Sequence, residues 1–265
     1  MQVEGRRWQR YVALGDSFTE GLMDASADDP DSFVGWADLL AARLARRNTR
    51  AGLDFGYANL AVRGRVLADV AGPQLDAALD LAPDLVSISA GGNDLLRPRV
   101  SLAEVADGLE AAVARVRETG ADVLMVTAPD IGWMPIVGRV NPRMAELTAH
   151  VWGIAQRHDC PVVDLWTLRE LQDLRMWAPD RIHFSSRGHR VVADAAAWTL
   201  GLDDVEPLEA LPPATPLTRL ASMAANREWA RTHLAPWVHR HMRGRSSGDG
   251  RSAKRPVVAP VDLGG

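Results

Sequence analysis

The stretch "YVALGDSFTEGL", residues 11–22, runs apolar and small residues into Gly15-Asp16-Ser17 and then opens a helical turn. A buried strand that ends on a turn is where open α/β sheets keep their ligands. Ser17 is therefore either a nucleophile or the N-cap of the helix that follows. The rest of the chain decides between the two.

Four more short runs have the same character: "FGYANL" (55–60), "LVSISA" (85–90), "DVLMVTA" (122–128) and "CPVVDLW" (160–166). They are rich in Val, Leu and Ile with little polar alternation, as expected of parallel strands covered on both faces. Between the strands, apolar residues fall at helical spacing. Phe33, Trp36, Leu39, Leu40 and Leu44 form one stripe, and Leu102, Val105, Leu109, Val113 and Val116 a second. Met144, Leu147, Val151 and Ile154 form a third, and Val191, Val192, Ala195 and Trp198 a fourth. These stripes predict core-facing helices. Strand and helix alternating in this way predict an α/β fold, a flavodoxin-like doubly wound parallel sheet of five strands in the order 2-1-3-4-5.

After Gly201 the pattern changes. The α/β domain is expected to occupy residues 1–201. Residues 202–243 follow as a proline-containing linker and a basic helix, broken or kinked at Pro236. Residues 244–265 lack apolar periodicity and are expected to form a disordered tail. Charge follows the same division. From Arg227 to Arg255 eight Arg or Lys stand against Glu228 and Asp249, a net +6 in a chain of formal charge −4. This segment interleaves Trp with Arg and His, as a surface for an acidic partner or membrane would. A binding protein that works through it, with or without catalysis, is thus the alternative to an enzyme.

Cys160 is the single cysteine, which excludes an intrachain disulfide and a cysteine-rich zinc site. The N-terminal residues have no apolar signal-peptide core, and no stretch approaches the length of a membrane helix, so a cytoplasmic location is expected. No nucleic-acid partner is expected.

Polar residues of particular types accompany the strand ends. The first strand gives Ser17, the second "NLAVRG" with Gly64, the third "GGND" with Asn93, and "DRIHFS" after the fifth gives Asp180 and His183. A serine hydroxyl needs a base, and histidine suits that task at neutral pH. A carboxylate on the other ring nitrogen fixes the tautomer. Acyl transfer also needs donors for an oxyanion: a glycine lets a backbone N–H approach closely, and an asparagine supplies an amide.

In this order, "GDSFTEG", "NLAVRG", "GGND" and "DRIHFS" resemble the four sequence blocks of the SGNH (GDSL-type) hydrolases, over about residues 10 to 200. The resemblance implies Ser17 as nucleophile and oxyanion donor, Gly64 and Asn93 as further donors, His183 as base and Asp180 as its partner. It implies a serine esterase that needs no metal or cofactor. Its substrate would be a small-molecule, lipid or sugar ester. No G-x-S-x-G elbow occurs, which argues against an ordinary α/β-hydrolase.

The insert "PDIGWMPIVGRVNP" after the fourth strand carries Trp133, Met134 and Ile136, and Trp177 precedes the Asp-His loop. These four either line a substrate pocket or pack on the core. Asp16 and Asp94 are expected to hold loops, and His189 and Cys160 to be structural. His233, His239 and His241 fit a solvated helix face better than a metal site.

Overall fold

Tyr11, Val12, Ala13 and Leu14 are all buried, and the strand they form, β1 (Arg10–Leu14), lies inside the sheet. The computed structural model describes residues 5–25, 32–97, 99–202, 208–213, 218–236 and 246–263. In chain order β1 is followed by α1 (Ser17–Glu20), α2 (Trp36–Thr49), β2 (Gly56–Asn59) and α3 (Leu67–Asp69). A π-helical turn over Val70–Gln74 leads into α4 (Leu75–Asp80), then come β3 (Leu85–Ile88), α5 (Gly92–Leu95) and α6 (Leu102–Glu118). β4 (Asp122–Val126), α7 (Asn141–His158), β5 (Val162–Val163) and α8 (Ser186–Thr199) complete the α/β part. Beyond it lie α9 (Arg219–Trp229) and β6 (Arg255–Pro260).

The sheet order is β5-β4-β3-β1-β2-β6. Its first five strands are parallel and keep the order expected from sequence. Alternate side chains feed two cores, as the two-residue period of a strand requires. Tyr11, Ala13, Tyr57, Leu85, Leu124 and Val163 face α2 and α8. Val12, Leu14, Ala58, Val86, Val123 and Val162 face α4, α6 and α7. Burial on both faces explains why these strands read as continuous apolar runs.

Two expectations are corrected. Trp198 does not belong to the buried stripe of α8; it is 65% exposed. The buried face is instead offset by about one residue, to Val192, Ala193, Ala196 and Ala197. These small side chains share a core cluster with Ala37, Leu40, Ala41 and Leu44 of α2, where an indole would not fit.

The second correction concerns the expected disordered tail. Residues 255–260 form a sixth strand, β6, antiparallel to β2. Without it β2 would be a sheet edge with unpaired N–H and C=O groups, a ready template for another strand. Lys254 Nζ anchors the incoming chain by donating to the carbonyls of Glu20 and Phe33 at 2.6 and 2.8 Å and to Asp38 Oδ2 at 2.6 Å. Pro256 and Pro260 suit an edge strand, where a missing N–H is tolerated. Among the described residues no helix is long and apolar enough to cross a membrane.

Candidate active site

β1 stops at Leu14 because the next residue must pass too close to its neighbours for any side chain. A Cβ on Gly15 would lie 2.5 Å from Thr19 Oγ1 and 2.9 Å from the Ser89 carbonyl oxygen. Gln74 clamps the same peptide, accepting from Gly15 N at 3.0 Å and donating to Gly15 O at 2.9 Å. Asp16 then caps α1 by accepting from Phe18 N at 3.0 Å. The cap of this helix is thus Asp16, which leaves Ser17, its first residue, free of capping duty.

Ser17 Oγ lies 3.1 Å from His183 Nε2, although the two residues are 166 apart in sequence. His183 Nδ1 is 2.6 Å from Asp180 Oδ2. Asp180 Oδ1 accepts from the backbone N–H groups of Ile182 and His183 at 3.0 and 3.1 Å, a turn that an aspartate makes locally. Burial opposes ionisation of Asp180. The bond to the His183 ring, its charge and the two N–H groups outweigh that and hold the carboxyl below its usual range. The Asp180–His183 loop is closed at its base by an antiparallel bridge between Trp177 and Phe184.

Asn93, on α5 after β3, donates from Nδ2 to Asp16 Oδ2 at 2.9 Å and to the Arg65 carbonyl at 2.8 Å. Both amide hydrogens are thus engaged by protein acceptors in this structure, so donation to a ligand requires one of them to turn away from its partner. Gly64 has φ +74°, a left-handed conformation that glycine adopts without strain. The loop before it is tied to α1 by a buried ion pair: Arg63 Nη2 donates to Glu20 Oε1 at 2.5 Å and Arg63 N to Glu20 Oε2 at 2.7 Å. Asp94 Oδ2 accepts from Leu67 N at 2.9 Å, so it holds the neighbouring loop.

Ser17, Gly64, Asn93, Asp180 and His183 all line one cleft of about 880 Å³ at the carboxyl ends of the strands. Of the four apolar candidates, Ile136 and Trp177 contribute to its wall. Met134 is buried in the core, and Trp133 packs against that core with its indole N–H donating to Asp130 O at 3.1 Å. Val137, Val140, Met144 and Leu147 extend the apolar side of the cleft.

Burial drives Asp16 upward to about 6, with Asp94 and Glu20 adding to the rise and the Phe18 N–H and His183 opposing it. A carboxyl raised from near 4 favours the folded state most when protonated. Its contribution is fully present below the unfolded pKa and is lost as pH rises through about 6. Asp16→Asn is therefore expected to shrink the fall in stability between pH 4 and pH 7 by roughly 2 kcal/mol, measurable by urea unfolding at both pH values.

His189 is 1% exposed, and burial, with the Lys254 and His183 charges, lowers its pKa to about 3. Its Nδ1 accepts from Trp36 N at 3.3 Å, and its ring stacks on Phe18, so a neutral imidazole ties α8 to α2. Cys160 is buried and its thiol is pushed up to about 11 by that burial. Among the described residues no group of three or more His, Cys, Asp or Glu could hold a metal ion. His233 lies on the cleft wall; Trp237, His239 and His241 fall outside the described residues.

Gln74, the Glu20–Arg63 pair and Trp229, whose indole donates to the Asp180 carbonyl at 2.9 Å, escape the sequence reading. Glu20 and Arg63 stand inside two of the quoted blocks, "GDSFTEG" and "NLAVRG", but nothing in the sequence pairs them.

No curated protein sequence matches the chain. Solved structures do. An α/β hydrolase enzyme, LAE5, from the metagenome of Lake Arreo, Spain, is 26% identical, with a TM-score of 0.62 over 73% of this chain and 95% of its own. Axe2, an acetylxylan esterase from Geobacillus stearothermophilus, superposes with a TM-score of 0.63 at 20% identity, over 78% of this chain and 99% of that one. A lipase/acylhydrolase from Enterococcus faecalis gives 0.58 at 24% identity, covering 76% and 100%. The last two show the shared fold. The profile of the GDSL-like lipase/acylhydrolase family matches residues 13–191, from β1 into α8, and the chain belongs to that family.

Proposed function

We propose that this protein is a serine esterase whose nucleophile is Ser17, with His183 as general base and Asp180 as its orienting partner. The observation that carries the reading is the unbroken chain Ser17 Oγ to His183 Nε2 at 3.1 Å and His183 Nδ1 to Asp180 Oδ2 at 2.6 Å. Asp180, held ionised, accepts a hydrogen bond from Nδ1–H, which keeps the proton on that nitrogen and leaves Nε2 free to take one from Ser17. The Ser17 oxygen attacks the ester carbonyl as its proton passes to His183. The oxyanion is received by the Ser17 and Gly64 N–H groups and by one Asn93 N–H, which leaves its resting acceptor, Asp16 Oδ2 or the Arg65 carbonyl, to do so. His183 then protonates the departing alcohol. A water that loses a proton to the same ring attacks the acyl-enzyme, and the acid leaves as Ser17 recovers its hydrogen.

Asn93 and Asp180 are held in place by neighbouring groups. Asp16 and the Arg65 carbonyl orient Asn93, and two backbone N–H groups orient Asp180. Backbone donors fixed beforehand reorganise little when the charge develops, and for Asn93 the change is confined to one N–H turning from its resting acceptor. The apolar arm past Ile136, Val137 and Met144 suits the hydrocarbon part of an ester.

The reading is tested by hydrolysis of a short-chain chromogenic ester by the full chain. A protein that releases no chromophore from a panel of acetyl to octanoyl esters contradicts it. Asn93→Ala is expected to lower kcat by roughly 10²–10³-fold with little change in KM, since the oxyanion exists only in the transition state. A rise in KM alone would make Asn93 a ground-state contact.

A further inference from the structure

The family match ends at residue 191, yet groups from beyond it reach both loops that frame Ser17. On one side, α9 presents Trp229, which is 5% exposed. Its Nε1–H donates to the Asp180 carbonyl at 2.9 Å. The next loop residue, Arg181, lies over the same indole, 5.2 Å from the ring centroid, and donates from Nη1 to Asn226 Oδ1 at 2.6 Å. Arg181 has φ +54°, a left-handed conformation uncommon for a residue with a side chain. Such a conformation persists where its surroundings over-determine it. Here three contacts to one helix do so.

On the other side, a turn over residues 246–249 lies directly on the Gly64 loop. The turn closes on itself: Ser246 Oγ accepts from Gly248 N at 3.0 Å, and Asp249 Oδ2 from Ser246 N at 2.9 Å. The fit to the loop is backbone against backbone. A Cβ on Gly248 would fall 2.0 Å from the Arg63 carbonyl oxygen, and one on Gly64 would fall 2.1 Å from Ser246 Oγ. Lys254 and β6 hold this turn in place through Asp38, two backbone carbonyls and β2.

We propose that the C-terminal extension braces the active site at both loops, with Trp229 and Asn226 as positioning residues for Asp180 and His183, and the 246–249 turn positioning the Gly64 N–H. The assignment rests on the esterase reading above. None of these groups touches a reacting atom in this account; each acts through the loop it holds. The extension thus acts on catalysis only through the two loops it holds.

The test uses the full chain. Trp229→Phe keeps an aromatic ring beneath Arg181 and deletes the N–H that Asp180 accepts. With a small soluble chromogenic ester, kcat is expected to fall roughly three- to tenfold at constant KM, the worth of one hydrogen bond felt in the transition state. The loss is expected to vanish in an Asp180→Asn background, because a positioning residue acts only through the carboxylate it holds. Independently of turnover, the downfield proton resonance of the His183 Nδ1–H bonded to Asp180 should shift in Trp229→Phe. Gly248→Val, which forces the turn off Arg63, should lower kcat at constant KM through Gly64. If Trp229→Phe does not fold, Asn226→Leu releases Arg181 and answers the same question. Unchanged kcat and resonance, or a loss that adds fully to that of Asp180→Asn, would overturn the proposal. A wild-type chain that shows the resonance and hydrolyses no ester refutes the esterase reading instead, and the resonance shift alone then judges the brace.

Discussion

Ser17→Ala is expected to abolish hydrolysis of a chromogenic ester, lowering kcat on the order of 10⁶-fold, as removal of the nucleophile from a Ser-His-Asp set does. The fold should survive. Ser17 Oγ pairs with His183 Nε2, which itself faces the cleft, so its loss leaves no deeply buried group unpaired. The helix cap is untouched as well, because it belongs to Asp16. Unfolding by urea should therefore give a midpoint close to that of the wild type while turnover falls to the uncatalysed background. Ester turnover that survives with more than about a hundredth of its rate would mean another nucleophile.

Asp180→Asn has the next largest expected effect, about 10⁴-fold in kcat. The substituted amide keeps an oxygen for the backbone N–H groups of Ile182 and His183, so the loop retains its shape. Its NH₂, however, faces His183 Nδ1, which must then accept rather than donate. The proton moves to Nε2, and the ring can no longer take one from Ser17. KM should change little, since no substrate contact is lost. The double variant Ser17→Ala with Asp180→Asn should be scarcely slower than Ser17→Ala alone, because the three groups act as one unit. Full additivity would show that Asp180 works elsewhere.

The parallel sheet was readable because its chemistry is local and repetitive. Five runs of Val, Leu and Ile report burial on both faces, and the structure places a strand within each. Ser17, Gly64, Asn93, Asp180 and His183 stood out because each follows a strand end or precedes α8, and parallel topology carries all of those to one edge. What holds them was not readable. Gln74 sits in a π-helical turn beside Pro73, and its partner is the Gly15 peptide 59 residues away. Glu20 and Arg63 look like ordinary surface charges until the fold buries them together. Strand β6, "RPVVAP", carries too little pattern to be seen, because an edge strand is stabilised by the partner it covers. Trp198 failed for the opposite reason: its spacing fits a stripe, but α8 meets α2 through alanines. Local pattern decides which elements form; close approach between elements decides which face is buried.

The central claim, that Ser17 is the nucleophile, is tested most directly by labelling the protein with a fluorophosphonate and mapping the modified peptide by mass spectrometry. The account predicts a single adduct on Ser17, formed by the wild type, absent from Ser17→Ala and slower in Asp180→Asn. An adduct on any other serine, or equal labelling of wild type and Ser17→Ala, would contradict it.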